Sequence, residues 1–434
     1  MPAYFPENNT PLALDTEVRS LQKINDLLKN GIGFSLSSAG ILPDAFGRFR
    51  VSTPLTLFDS SHRYQDNDLW ASSTSTGGSV SFVSAKGSVD LSVTSSSGSS
   101  VIRETKKVFA YQPGKSLLTM NTFVMAPAKN NLRQRVGYFG ADNGIFLQLD
   151  GTTLSLVERS QSTGTTTTVN QSDWNGDKLN GSGSSGVTLD ISKAQIFWSD
   201  FEWLGVGTVR CGFVINGQFI VAHSFHHANL ISSTYITTAS LPLRYEITNT
   251  GTTSGSSTLT QICSTVLSEG GYQLYGAQRA IGSSITSPYN MTVAGTYYPI
   301  ASIRLKSTKL DSIVILTALS ILPASTGNYN WRVLAASTTS GGTWTSVGTD
   351  SSVEYNITGT SVSGGRILAS GFISQSNQSN PAVDILKEAL FRFQLERDSL
   401  NSTPYEITLV AAAQTIGGGG SNIFGSMDFE EVSR

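Results

Sequence analysis

The feature that most narrows the possible folds is a recurring phrase: apolar residues at every second position, a two-residue turn, then the same alternation on the way back. In "TVRCGFVINGQFIVAHSF", Val209, Cys211, Phe213 and Ile215 alternate up to Asn216-Gly217, and Phe219 and Val221 alternate on the return. Period two puts successive side chains on opposite faces of a strand. Asn-Gly suits a type I′ turn, in which both central residues need positive φ. "VSFVSAKGSVDLSV" repeats the phrase around Lys86-Gly87, and "IFLQLDGTTLSLVER" repeats it around Asp150-Gly151. Strands at short intervals between Gly, Ser, Thr and Asn clusters predict an all-β, antiparallel sandwich architecture.

Helical periodicity appears once, near the start. Leu14, Val18, Leu21, Ile24 and Leu28 form an apolar stripe, with Asp15 placed to cap and Gly31 to stop a helix over residues 16–30. An isolated helix of about 15 residues is marginal in water, so this stripe is expected to be covered, by the chain's own body, by copies of itself or by another protein. The 434 residues exceed what one core usually holds. The expected organisation is an anchoring or oligomerising arm over 1–35, a jelly-roll or concanavalin-like sandwich over 36–270, and a smaller sandwich over 271–434. Residues 161–187 read as a polar loop or hairpin tip. In the last part "NYNWRV" reads as a core strand facing Tyr329, Trp331 and Val333 inward, and "LFRFQLERD" reads as a half-buried strand facing Phe391, Phe393 and Leu395 inward.

Charged residues are only 14% of the chain and the formal net charge is −2, so no clustered positive charge marks a nucleic-acid partner. Two cysteines, Cys211 and Cys263, exclude a disulfide framework and a four-thiolate zinc site. No apolar run reaches the length of a membrane-spanning helix, and the N-terminus carries no basic-then-apolar leader pattern. Membrane insertion is not expected, and synthesis and assembly in the cytosol are.

The chemistry-bearing residues offer few motifs. His223, His226 and His227 could converge on a metal, but on a strand His226 and His227 point to opposite sides and no carboxylate completes the set. Asp200 and Glu202 have the separation of a glycosidase pair, as does any polar strand edge. Asp66-Asn67-Asp68 lacks the Gly and Glu of a calcium loop, and Gly417 to Gly420 lacks the Lys-Ser/Thr of a phosphate loop. No cofactor, metal or enzymatic activity is expected. What remains are aromatics in loops, Trp174 and Trp344, with His226 and His227 beside them: interface or glycan contacts, or plugs for the sandwich ends.

Four stretches carry a family likeness: "DAFGRFRVSTPLTLFDSSHRY", "DFEWLGVGTVRCGFVINGQFIVAHSFHHAN", "WTSVGTDSSVEYN" and "LFRFQLERD". In these the chain resembles virion structural proteins of tailed bacteriophages, particularly marine and freshwater phages including cyanophages. The resemblance implies a non-enzymatic capsid-decoration or tail component, located in the virion and assembled in the host cytoplasm. It would be anchored through its N-terminal segment to other virion proteins and would form a homo-oligomer, with a trimer favoured. The alternative is a carbohydrate-binding receptor-recognition module of a tail fibre, with a host surface glycan as partner. No residue role transfers with the resemblance.

The stretch "DAFGRFRVSTPLTLFDSSHRYQDNDLW" then reads as a structural join. Arg48, Arg50 and Arg63 are expected to pair with Asp59, Asp66 and Asp68 where the anchor meets the first sandwich.

Overall fold

The computed structural model describes residues 53–375, 383–384 and 392–433. The chain divides into Met1–Thr53 and Pro54–Arg434, and the description below concerns the second unit. The helix predicted over 16–30, the stripe from Leu14 to Leu28, and Arg48 and Arg50 lie outside the described residues.

Among the described residues, Pro54–Arg434 is all-β apart from single helical turns, and every strand pair is antiparallel. The first sandwich has two sheets. One runs, strand by neighbouring strand, Gln218–Phe225, Val209–Ile215, Gln195–Phe201, Ser116–Val124, Ser257–Glu269, Ser88–Val93 and Ser79–Val83, with Leu55–Ser61 also paired to Ser257–Glu269. The other runs Thr165–Asn170, Thr153–Ser160, Gly144–Asp150, Leu132–Phe139, Leu243–Asn249, Ser100–Thr105 and Trp70–Ser75. Their facing sides share one apolar core, in which Phe123, Phe197 and Phe213 of one sheet meet Val136, Leu147 and Tyr245 of the other. The alternation in the sequence has this origin: one face of each strand enters the core and the other is polar.

The hairpins form where the turn chemistry places them. Ile215 pairs with Gln218, so Asn216 and Gly217 make the two-residue turn, at φ 53° and 76°. Positive φ at both positions is what type I′ geometry demands.

The second sandwich begins at Ala277. A sheet led by Ser421–Ser433 and Ile313–Pro323 packs on one ordered Thr345–Ser346, Val353–Asn356, Tyr298–Leu305, Glu406–Ala413, Asn328–Ser340 and Ser361–Ser374. Met291, Leu316, Met427 and Phe429 face Ile303, Val333, Leu409 and Tyr329 across its core. Tyr329, Trp331 and Val333 all point inward, as the spacing of "NYNWRV" indicates.

Two segments differ from their sequence reading. The part of 161–187 expected to be loop includes an edge strand, Thr165–Asn170, paired in full with Thr153–Ser160. Its run of threonines offers no apolar alternation because both its faces are solvated, so backbone pairing alone defines it. In "LFRFQLERD", Leu390 and Phe391 lie outside the described residues, and the remainder is not a half-buried strand. Arg392 and Phe393 form a helical turn, Gln394 makes a single bridge to Ile315, and only Arg397–Asp398 pairs briefly with Thr403–Pro404. Every residue from Phe393 to Asp398 is buried. The segment is clasped between the two sandwiches, so its polar residues are as enclosed as its apolar ones.

Candidate functional site

The residues singled out in the sequence are mostly structural. Trp174 is 1% exposed. Its indole N–H donates to the Val169 carbonyl at 3.2 Å and its ring packs on Phe213, so it plugs one end of the first sandwich. His227 is buried between two acceptors. Nε2 lies 2.8 Å from Glu158 Oε2, Nδ1 lies 2.5 Å from the Gly207 carbonyl, and the ring stacks on Tyr235 with centroids 4.1 Å apart. Burial opposes its charge, but these two hydrogen bonds outweigh it and hold the pKa above the ordinary imidazole value.

His223 accepts the Asn175 backbone N–H at 3.2 Å, and His226 meets Thr208 at 3.3 Å. The three histidines thus serve different partners and do not converge. Among the described residues, no group of three or more His, Cys, Asp or Glu is placed to hold a metal. Asp200 is buried and chelated by both arms of Arg210, whereas Glu202 lies past the strand end and accepts the Thr208 N–H at 3.2 Å. Trp344 covers the guanidinium of Arg304, 3.9 Å from ring centroid to Cζ, while Arg304 pairs with Glu354 at 2.7 Å.

Among the described residues, Asp66 and Asp68 form ion pairs, while Arg48 and Arg50, expected as partners, lie outside the described residues. Asp66 pairs with Arg103 and Asp68 with Lys106, and Asp68 also meets Arg366 of the second sandwich at 3.3 Å. Among the described residues the stretch links the two sandwiches, and the expected join to the anchor lies outside them. Its neighbours complete the junction. Arg397 binds Glu104 at 3.2 Å, Asp311 at 3.1 Å and the Thr105 carbonyl at 2.6 Å. Arg366 binds Glu396 at 2.8 Å, and Gln394 donates to the Val108 carbonyl at 2.9 Å. Beside these charges Val108 and Ala110 pack on Ile313 and Ile315 as a small shared core. The Arg397–Glu104 pair is buried on both sides and, with this shared apolar core, ties the two bodies together.

Next to that junction lies a cleft of about 550 Å³ whose walls hold four aromatic side chains, Tyr111, Trp203, Tyr272 and Tyr275. Each is positioned by a specific local device. Tyr111 follows the two-residue strand Phe109–Ala110, which pairs with Ser240–Leu241, and its N–H donates to the Ala239 carbonyl at 3.1 Å. Trp203 sits in a tight turn closed by the Val206 and Gly207 N–H groups donating to its own carbonyl, at 3.0 and 2.8 Å. Gly205, at φ 80°, makes that turn possible. The indole N–H of Trp203 is anchored on the Ile236 carbonyl at 3.2 Å, leaving the ring face turned to the cleft.

Tyr272 and Tyr275 come from the connector between the sandwiches. Gln112 holds that connector like a strand partner, its amide oxygen accepting the Gln273 N–H at 3.0 Å and its amide N–H donating to the Gln273 carbonyl at 2.5 Å. Glu430 of the second sandwich fixes the far end through the Gly276 N–H and Gln278. Tyr275 is 81% exposed, an unusual position for a large aromatic. Burial, followed by the charge of Glu430, pushes the Tyr272 hydroxyl up to about 12, and burial raises Tyr111 as well. Both phenols therefore stay protonated hydrogen-bond donors at neutral pH. Lys115, Thr237 and Thr238 supply polar groups at the rim.

A second cleft of about 560 Å³ on the C-terminal sandwich is lined by Tyr297, Asn328, Asn330, Phe372, Ala412 and Gln414. Its polar groups largely pair with one another: the Tyr297 hydroxyl with Asn330, Asn330 with the Gly371 carbonyl at 2.9 Å, and Asn328 with Gln414 at 2.8 Å. The first cleft has the more aromatic walls, with four rings against Tyr297, Tyr329 and Phe372 in the second.

None of Tyr111, Trp203, Tyr272 and Tyr275 stands in a sequence motif. No spacing could have revealed them, since three separated segments supply the four rings.

No family model matches the chain, and no curated protein matches it. Among solved structures it is similar to the carbohydrate recognition domain of Emp47p, with a TM-score of 0.31 at 12% identity, covering 50% of this chain and 97% of that one. It is similar to arcelin-5, a lectin-like defence protein of Phaseolus vulgaris, with a TM-score of 0.30 at 12% identity over 51% of this chain and 100% of that one. It is also similar to the cellulose-induced protein Cip1, with a TM-score of 0.32 at 12% identity over 48% of this chain and 96% of that one. The sandwich architecture itself rests on the sheet pairing and cores described above.

Proposed function

We propose that this chain is a non-enzymatic carbohydrate-recognition protein, the receptor-recognition part of a phage tail fibre or related virion appendage, with a lectin-like first sandwich. The observation that carries the binding reading is the cleft of Tyr111, Trp203, Tyr272 and Tyr275. Sugar rings present C–H faces that pack on aromatic rings and hydroxyls that take hydrogen bonds from donors such as tyrosine and lysine. Tyr275, largely exposed on the cleft that the anchored Trp203 also lines, is the platform, and Lys115 on the same wall is a polar partner. The buried junction supports a display role, because two sandwiches locked together hold the cleft at a fixed attitude to whatever carries them. The virion setting rests on the sequence resemblance, and a purely structural capsid or tail role remains its companion proposal.

The test is binding of the purified full chain to a glycan array that includes bacterial envelope polysaccharides, followed by titration calorimetry on any hit. Trp203→Ala and Tyr275→Ala are compared with the unaltered protein. Loss of about 1–2 kcal/mol, roughly tenfold in affinity, is expected for each. Absence of any retained glycan, or binding indifferent to Trp203→Ala, would overturn the reading.

A further inference from the structure

The strand Ser361–Ser374 closes one side of the six-stranded sheet of the second sandwich. It pairs along its length with Asn328–Ser340 and, among the described residues, with no strand on its other side. An unpaired edge fourteen residues long exposes a row of backbone donors and acceptors that invite another strand. Proteins usually blunt such an edge with charge, proline, a bulge or a covering segment. This strand contains no proline, and its one charged residue, Arg366, is already engaged by Asp68 and Glu396. Two large apolar side chains stand exposed on it, Phe372 at 85% and Ile367 at 51%.

The register explains how these two can act together. Ala369 lies opposite Val333 and Ile367 opposite Leu334, so Leu368 is an extra residue, a bulge in the edge strand. Phe372 and Ile367 are five positions apart and would face opposite ways in a regular strand. The bulge turns Ile367 to the side that Phe372 and Ser370 share.

We propose that this edge pairs antiparallel with the same edge of a second copy, about a two-fold axis at Ser370. Gly371 of each copy then meets Ala369 of the other, and Phe372 meets Ile367 beyond it. Each copy covers the exposed apolar residue of the other, and the small uncharged Ser370 stands where the strands cross. A symmetric interface must be complementary to itself, and the bulge makes this strand so. The two Arg366 side chains end up about 20 Å apart at about 3.4 Å per residue, beyond the screening length at physiological salt, so like charges do not oppose the pairing. The association is independent of the glycan reading and of any contact made by residues 1–52.

Cross-linking tests the axis directly. In the full chain, Ser370→Cys should give a covalent dimer under mild oxidation, while the unaltered protein, with Cys211 and Cys263, and a Ser363→Cys control should not. In sedimentation, Ile367→Lys and Phe372→Glu should each weaken the pairing at least tenfold. The double variant should recover it, because the new positive charge at position 367 of one copy would face the new negative charge at position 372 of the other. Thermal melts confirm that each variant folds. The proposal is overturned if Ser370→Cys gives no dimer above the controls, or if the double variant is no better than the singles. Either result would mean that the edge is covered by another part of this chain or by a different protein.

Discussion

Arg397 of the second sandwich and Glu104 of the first form an ion pair at 3.2 Å in which both side chains are almost completely removed from solvent. The guanidinium also holds the Thr105 carbonyl of the first sandwich and Asp311 of its own, so it ties one body to the other. Breaking a buried pair from one side leaves an uncompensated charge, which typically costs about 3–5 kcal/mol. Arg397→Ala is expected to lower the unfolding free energy by that order and to separate the melting of the two sandwiches in calorimetry. A single unshifted transition would show that the junction does not couple them.

His62 lies inside the first sandwich with neither ring nitrogen hydrogen-bonded, 3.5 Å from Asp66 and close to Arg103. Burial, and then the positive charge of Arg103, push its pKa down to about 4, with Asp66 opposing. A lowered folded-state pKa means that the unfolded chain binds the proton first. Stability is therefore lost as pH falls from about 6.5 to about 4, by roughly 3 kcal/mol from this group. His62→Leu should remove that portion of the acid-side decline, measured as the difference in denaturant midpoints between the two proteins across this window.

His227 works in the opposite sense. Its pKa is raised by Glu158 and the Gly207 carbonyl against the effect of burial, so its charged form stabilises the fold. That contribution is complete below the ordinary imidazole value of about 6.5 and fades as pH climbs through the raised value. The stability gap between the unaltered protein and His227→Gln should be widest below neutrality and should narrow at higher pH. A gap independent of pH would mean that the histidine acts only through its packing on Tyr235.

Trp174 and Trp344 should separate from Trp203 in a binding assay. Trp174→Ala removes a core side chain packed on Phe213, with an expected cost of about 3–5 kcal/mol in stability. Trp344→Ala loses a cation–π contact with Arg304, worth about 0.5–1 kcal/mol. Neither residue lines the aromatic cleft, so glycan affinity per folded molecule should be unchanged in a folded Trp344→Ala protein while Trp203→Ala lowers it. A loss of affinity in Trp344→Ala would move the binding site to the C-terminal sandwich.

The strands and their turns were legible in the chain itself, because period-two alternation and an Asn-Gly pair are local properties that act over a few residues. The inward set Val209, Cys211 and Phe213 follows from that alternation, as does the turn at Asn216 and Gly217. The tertiary structure alone decided what surrounds the polar residues. "LFRFQLERD" alternates like a solvated strand, yet Glu396 and Arg397 are buried because Arg366, Glu104 and Asp311 arrive from distant segments to pair with them. The cleft follows the same rule. Tyr111, Trp203 and Tyr275 meet only after two sheets and a connector have packed, since side-chain periodicity specifies which face a residue takes and carries no information about which distant segment will face it.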